Sequence, residues 1–410
     1  MLRAIPRYGA RIIPNTEQTI AELRDRGELV QGPHLALFER AFADYVGAAH
    51  AVTASYGRVA FYDLIHALRL PKGSEIIMPA LTFWVIPELA RAAGLVPVFA
   101  DVDPHTFTLD PASFERAITA RTSAVVPTHL YGLACDMDAI VGLARRHGLA
   151  VIEDCAHALG ATWRGRPVGA LGDAGFFSFQ LLKPLNTYGG GMAVTNNAAV
   201  AQRLAARIVD DPWPDEANVM RRLLLGRIQR IAIRPRVFSS SLFPVLYAAS
   251  YTGANPDVYL WEKIRPLDPL PPKYRERYSN VQAALGLEGL RHLDTWTSAA
   301  AAHARALDDA LEGSPIERPK VPKHGTHVYY QYAVYTPQRD AVVRQCIRRG
   351  VDVETLHVDV CTRVPLFGDR PPAPGAERAA TSIQLPVYSS LSMEDVGRVA
   401  SVVRDAVRSA

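Results

Sequence analysis

Cysteine is scarce in this chain: four residues in 410, at Cys135, Cys155, Cys346 and Cys361. No CxxC pair and no Cys/His cluster has metal-ligand spacing, so zinc is excluded and no metal site is expected. So few cysteines in so long a chain suit a reducing compartment. Long apolar runs are missing as well. No run of about 18 apolar residues supports a membrane span, and the opening MLRAIPRYGARIIP lacks the apolar core of a signal peptide. A cytoplasmic protein is therefore expected. Charge of one sign is also lacking, because 45 Lys+Arg stand against 41 Asp+Glu. The basic residues are spread out except in one segment, so nucleic acid is not an expected partner. Internal repeats and low-complexity tracts are absent too. What remains, 49% hydrophobic and 21% charged, is the composition of a soluble globular enzyme long enough for two lobes.

The stretch Val151–Gly191 carries the chemistry. Leu149-Ala150-Val151-Ile152 reads as a buried strand, and Glu153 and Asp154 stand where it should emerge. In open α/β sheets that end is where ligands sit. A second apolar run, Ala174–Phe179, contains Ser178 and leads within five residues of it to Lys183. The turn Gly189-Gly190-Gly191 then feeds Met192-Ala193-Val194. A carboxylate, a hydroxyl and a lysine near strand ends suit pyridoxal phosphate (PLP). That cofactor takes an amine for its attachment, a buried carboxylate for its pyridine nitrogen, and donors for its phosphate. Phenylalanines and leucines surround Lys183 in sequence, so its amine should be desolvated and its pKa lowered.

In order, Glu153-Asp154-Cys155-Ala156-His157-Ala158-Leu159-Gly160, Gly172-Asp173, and Phe177-Ser178-Phe179 with Lys183 resemble the core motifs of DegT/StrS-type PLP-dependent sugar aminotransferases. The resemblance implies the PLP transferase fold type I, aspartate aminotransferase-like. That is an α/β chain with a large, mostly parallel-sheet domain (residues 1–275) and a small C-terminal α/β domain (276–410). It also implies a homodimer with sites at its interface. Transamination follows, from an amino donor, with L-glutamate expected, to a keto acceptor. The family default for the acceptor is a nucleotide-linked keto-sugar. A keto-cyclitol or a more lipophilic ketone stays open, and so does a non-enzymatic regulator on the same scaffold. PLP-dependent sugar dehydratases of the family carry histidine in place of the lysine, and Lys183 argues against them.

Site residues follow position by position. Lys183 would hold the cofactor and move the proton in catalysis, and Asp154 would stabilise the pyridinium. His157, three residues past Asp154, would hydrogen-bond the phenolic oxygen, and Ser178 the phosphate. Ser55-Tyr56-Gly57-Arg58 joins a strand to a helix start, an arrangement suited to anions. There the family has Gly-Thr; here Gly57 is kept and the threonine is Arg58, so backbone donors survive and a hydroxyl is lost. Phe83 should lie over the cofactor ring, with Trp84 as its substitute if the register slips. His129 reads as structural or substrate-adjacent. Arg275 stands where the family's asparagine reaches the phosphate of the neighbouring subunit's cofactor; a solvated interface charge is the equal alternative. The family's usual acid before the glycine turn is replaced by Gly189, and of its C-terminal histidine stretch His357 alone is recognisable.

Residues about 203–275 depart most. Arg221–Arg236 is basic and apolar together, and Phe238–Tyr251 adds further apolar residues. A dimerisation or lid insertion is the plain reading. An amphipathic element meeting anionic lipid is a second, and a basic wall for a diphosphate-bearing substrate a third. Further on, Gln282–Leu311 reads as a long helix, His327–Tyr335 as an alternating strand, and Arg339–Gly350 as a helix stopped by glycine.

Overall fold

The structure is a computed structural model that describes residues 3–252, 262–355 and 357–410. Apolar runs and helix-period segments alternate along the chain, and they resolve into a seven-stranded sheet. In chain order its strands are β1 (His50–Ala54), β2 (Glu75–Pro79), β3 (Val96–Ala100), β4 (Thr122–Val125), β5 (Ala150–Asp154), β6 (Ala174–Ser178) and β7 (Gly191–Thr195). Across the sheet they run β1-β7-β6-β5-β4-β2-β3. Strands β2 to β6 pair in parallel, whereas β7 runs antiparallel to both β1 and β6. Parallel neighbours need crossovers, which the helices Val85–Ala92, Pro111–Ala117 and Met137–His147 supply.

Side chains alternate across the sheet, so neighbours in sequence enter different layers. Phe177 joins Phe38, Phe42 and Phe179 on one face, and Phe176 joins Phe61 and Trp84 on the other. Trp84 is thus a core residue, while Phe83 beside it is only partly buried. The helix Asn280–Ala310 starts with a capping box between Ser279 and Gln282. Its first half packs Ala283 and Leu293 into the sheet's core. Its second half puts Ala304 and Leu307 into a separate core, shared with Ile5 and the helix Met393–Ser409.

A small sheet, Tyr332–Val334 with Ile383–Leu385, lies in that second core. The sequence alternation extends back to His327, but the regular strand does not. Tyr329 adopts φ +49° and its ring stacks on that of His327 at 4.1 Å. This bend takes the chain out of the sheet and brings Tyr330 to Lys183, whose Nζ lies 5.0 Å from the Tyr330 ring centroid.

The departing segment folds as the helices Glu216–Ala232, Pro235–Ser240 and Phe243–Thr252. The preceding helix, Ala198–Ile208, still packs on the sheet layer, with Val200 and Leu204 buried there. Val219 and Leu223 anchor the first added helix against Tyr188 and Leu285. Phe238 and Phe243 meet Ala4 and Ile347. Among the described residues, no helix is long and apolar enough to cross a membrane.

Candidate active site

The alternation of β5 separates its two terminal acids. Glu153 is fully buried and accepts hydrogen bonds from the amides of Gly169 (2.8 Å), Leu171 (2.7 Å) and Gly172 (2.8 Å). His129 Nε2 lies 3.1 Å from the same carboxylate, and His129 Nδ1 accepts from the Cys135 amide at 3.0 Å. Both residues are saturated and structural; their closeness to Cys155 follows from packing beneath the strand. Asp154 faces the other way. One of its oxygens accepts from the Ala156 amide at 3.0 Å. Burial pushes the Asp154 pKa up to about 6, against the Ala156 bond and the charges of Lys183 and His129.

Lys183 hangs from a loop closed at its base, where the Phe179 carbonyl accepts from the amides of Thr187 (3.1 Å) and Gly189 (3.0 Å). Gln282 Nε2 donates to the carbonyls of Thr187 and Gly189, both at 3.1 Å. Gly190 sits at φ +99°, and a Cβ there would lie 2.0 Å from the Tyr278 ring, so the turn requires glycine. Desolvation draws the Lys183 amine down to about 8, with Asp154 opposing and Arg58 assisting. Tyr330 stacks on His157 at 4.3 Å between ring centroids. His157 Nδ1 is buried without a hydrogen-bond partner among the described residues. Burial, then Lys183 and His357, hold the imidazole neutral, well below its ordinary pKa.

Other strand ends complete the site. After β1 the helix Gly57–Ala67 begins at Tyr56 without a side-chain cap; the Val59 and Ala60 amides donate to the Tyr56 carbonyl, so an anion would meet the amides of Gly57 and Arg58. A Cβ on Gly57 would lie 2.7 Å from the Phe177 carbonyl oxygen and 2.9 Å from Ser178 Cβ. Only glycine therefore lets this helix start sit against the end of β6, beside Ser178. Arg58 is held by Glu262 at 2.8 Å and by the Tyr274 hydroxyl at 2.9 Å. Burial works against its charge, and Glu262 and Tyr274 outweigh it. Its guanidinium carbon lies 5.2 Å from the Phe83 ring centroid, so Phe83 rather than Trp84 faces this group. Arg275 stands apart, bound to Asp63 (3.1 Å), Asp211 (2.8 Å) and the Arg207 carbonyl (3.0 Å).

Of the wall opposite Lys183, sequence reasoning had singled out only His357. His357 Nδ1 lies 3.0 Å from the Tyr8 hydroxyl, and its Nε2 lies 3.2 Å from that of Tyr330. Glu354 approaches His357 at 3.2 Å and takes a hydrogen bond from Gln331. Desolvation opposes the Glu354 charge, yet His357 and Arg7 hold its carboxyl below the ordinary value. Tyr8, Tyr330 and Glu354 line a cleft together with Arg7 and Arg11. Arg7 is paired with Asp352 at 2.7 Å. Arg11 donates to the Pro184 carbonyl at 2.7 Å and has no carboxylate partner among the described residues. Desolvation draws it down to about 10. The run His327-Val-Tyr-Tyr-Gln-Tyr was the available signal for Tyr330; nothing local marks Tyr8 or Arg11.

The residues fit PLP. A buried imidazole nitrogen lacks a partner, a carboxylate titrates near 6 opposite an amine near 8, and an uncapped helix start stands beside Ser178.

Comparison with known proteins places this arrangement. The model of the DegT/DnrJ/EryC1/StrS aminotransferase family matches residues 11–210 and 249–404, leaving 211–248 between them. GDP-perosamine synthase of Caulobacter vibrioides is 31% identical over 387 residues, 90% of this chain and 88% of that protein. The L-glutamine:scyllo-inosose aminotransferase of Streptomyces griseus is 48% identical over 166 residues, 40% of this chain and 39% of its own. Among solved structures, DesV of S. venezuelae superimposes with a TM-score of 0.76 at 29% identity, covering 98% of each chain.

Proposed function

The chain belongs to the DegT/DnrJ/EryC1/StrS aminotransferase family, a PLP-dependent fold-type I enzyme by its fold and relatives, and on that footing we propose its substrates and the roles of its residues. It moves the amino group of L-glutamate to a nucleotide-linked keto-sugar in the making of an amino sugar. The sugar enzymes among its relatives support that acceptor.

When bound, PLP supplies an electron-withdrawing ring and carries the amino group between the two substrates. Asp154 would hold the proton on its ring nitrogen, His157 Nδ1 would meet its phenolic oxygen, and Phe83 would cover its ring. Ser178 and the amides at Gly57 would hold its phosphate. Arg58 would add charge there, to the extent that Glu262 leaves it available. Lys183 Nζ, neutral once the pH exceeds about 8, would hold the cofactor and would be placed to take the proton from the donor Cα. Arg11 supports a carboxylate-bearing donor: it is a partly buried guanidinium in the cleft with no carboxylate partner among the described residues. A homodimer is part of this reading. Arg275 would reach a neighbouring phosphate only by leaving Asp63 and Asp211.

The observation that carries the proposal is the convergence of buried Asp154 at the end of β5, Lys183 in the loop after β6 and the buried His157 Nδ1 that has no partner among the described residues. The test is a coupled assay of PLP-loaded protein with L-glutamate and a panel of ketones, following 2-oxoglutarate. Preferred turnover of nucleotide-linked keto-sugars supports the assignment. Preference for a keto-cyclitol, or for L-glutamine as donor, overturns the substrate assignment but not the chemistry.

A further inference from the structure

The segment that the family model leaves out breaks the ordinary rule for a surface helix. Glu216–Ala232 turns Val219, Leu223 and Gly226 inward. The side opposite the core should be polar. Instead it carries Leu224, Leu225, Ile228 and Ile231, which are 55%, 53%, 53% and 36% exposed. Beyond the short helix Pro235–Ser240, Leu242 and Val245 are 49% and 62% exposed. Of the fifteen large hydrophobics exposed among the described residues, eight fall between Leu224 and Tyr251. That concentration marks an interaction face rather than scattered surface apolar residues.

Its charge says what the face fits. Residues 216–252 contain six arginines against one acid, Glu216 at the helix start. Arg221, Arg234 and Arg236 are exposed and have no carboxylate partner among the described residues. Glu17 pairs with Arg227 and Arg230, and Glu276 with Arg222, so the surplus charge of the face rests on Arg221, Arg234 and Arg236; a second copy meeting it across a two-fold axis would set those three against their own equivalents. An anionic bilayer surface offers the complement of both features: headgroup phosphates for the arginines and an acyl boundary for the leucines and isoleucines.

We propose that residues 216–252 form a peripheral docking face for an anionic lipid surface, which holds the enzyme at the membrane without spanning it. The helix's apolar side enters the interface and its arginines contact the headgroups. The active site is built from other elements, so this docking stands or falls independently of the substrate assignment.

Flotation of the full-length, PLP-loaded protein with vesicles tests it. The probes are pure phosphatidylcholine vesicles and vesicles with about a quarter phosphatidylglycerol, each at about 0.1 M and about 0.5 M salt. Binding is expected on the anionic vesicles, weaker at high salt and absent on the neutral ones. Leu225→Ser with Ile228→Ser should reduce it at least about tenfold. Arg234→Gln with Arg236→Gln should reduce it about tenfold and flatten the salt dependence. Every substituted side chain is exposed, so folding and solution turnover should match the wild type. Three results would overturn the proposal. One is no binding to anionic vesicles at low salt. Another is binding that both double variants leave intact. The third is a wild-type dimer that Ile228→Glu converts to a monomer, which would assign the face to a second copy.

Discussion

The two faces of β5 hold two buried polar clusters of opposite character. On one, Glu153 receives three amides and faces His129, and each group has its partners. On the other, Asp154 titrates near 6, His157 keeps an unpartnered nitrogen, and Lys183 is drawn towards neutrality. The residue types are alike and the strand is the same. What differs is saturation. A buried polar group with all its hydrogen bonds made serves the fold, whereas one left partly unsatisfied costs stability and is kept where a ligand completes it.

Substitutions sharpen this contrast. The largest loss is expected from Lys183→Ala, which removes both the attachment and the base. Turnover should fall at least about ten-thousandfold while the thermal midpoint of the apoprotein holds or rises. Asp154→Asn should come next, with turnover down about a hundredfold or more. Its stability should move the other way. Because the folded pKa of Asp154 lies above its ordinary 3.8, the native state binds more protons than the unfolded state between pH 3.8 and about 6. Stability is therefore lost as pH rises through that window. The asparagine variant should lack this loss, and at pH 7 its apoprotein should gain on the order of 1–2 kcal/mol in urea unfolding.

Across the strand the reverse is expected. Glu153→Gln removes a charged acceptor for three amides and should cost about 3 kcal/mol in the same unfolding measurement. The protein that remains folded should keep its turnover. If Glu153→Gln proved stable but inactive, the division between the two faces would collapse.

Smaller effects compare the two cleft arginines. Arg11→Met should raise the KM for the donor about tenfold with little change in kcat. Arg7→Met breaks the pair with Asp352 and should lower stability more than it alters donor KM. The mildest test is pH. Below about 8 the Lys183 amine is protonated, so cofactor capture by apoprotein should slow about tenfold for each further unit of acidification. A rate still climbing beyond pH 10 would mean an ordinary lysine.

Much of the sheet side of the site could be read in the sequence, because strand ends carry it. The runs at Val151, Ala174 and Met192 form β5, β6 and β7; Asp154 and Ser178 end β5 and β6, and Lys183 lies in the loop from β6 to β7. The opposite wall was hidden for physical reasons. Tyr8 reaches His357 across 349 residues of chain, and periodicity is silent about such distances. Tyr330 sat inside an alternating pattern that read as strand, and the left-handed turn at Tyr329 decided otherwise. The family resemblance singled out Asp154 over Glu153, and the alternation of β5 is the physical reason the two face different surroundings. The segment 216–252 resisted because its apolar residues lie on both sides of the helix, so hydrophobicity alone did not say which side is buried.

The most direct measurement uses the scarcity of lysine, with six in the chain. PLP-loaded protein is reduced with borohydride, digested, and mapped by mass spectrometry for the pyridoxyl group. A single modification at Lys183, absent from protein exposed first to the amino donor, is the predicted result. Labelling at another lysine, or none at all, would contradict the assignment of Lys183 and of the open face of β5 as the catalytic centre.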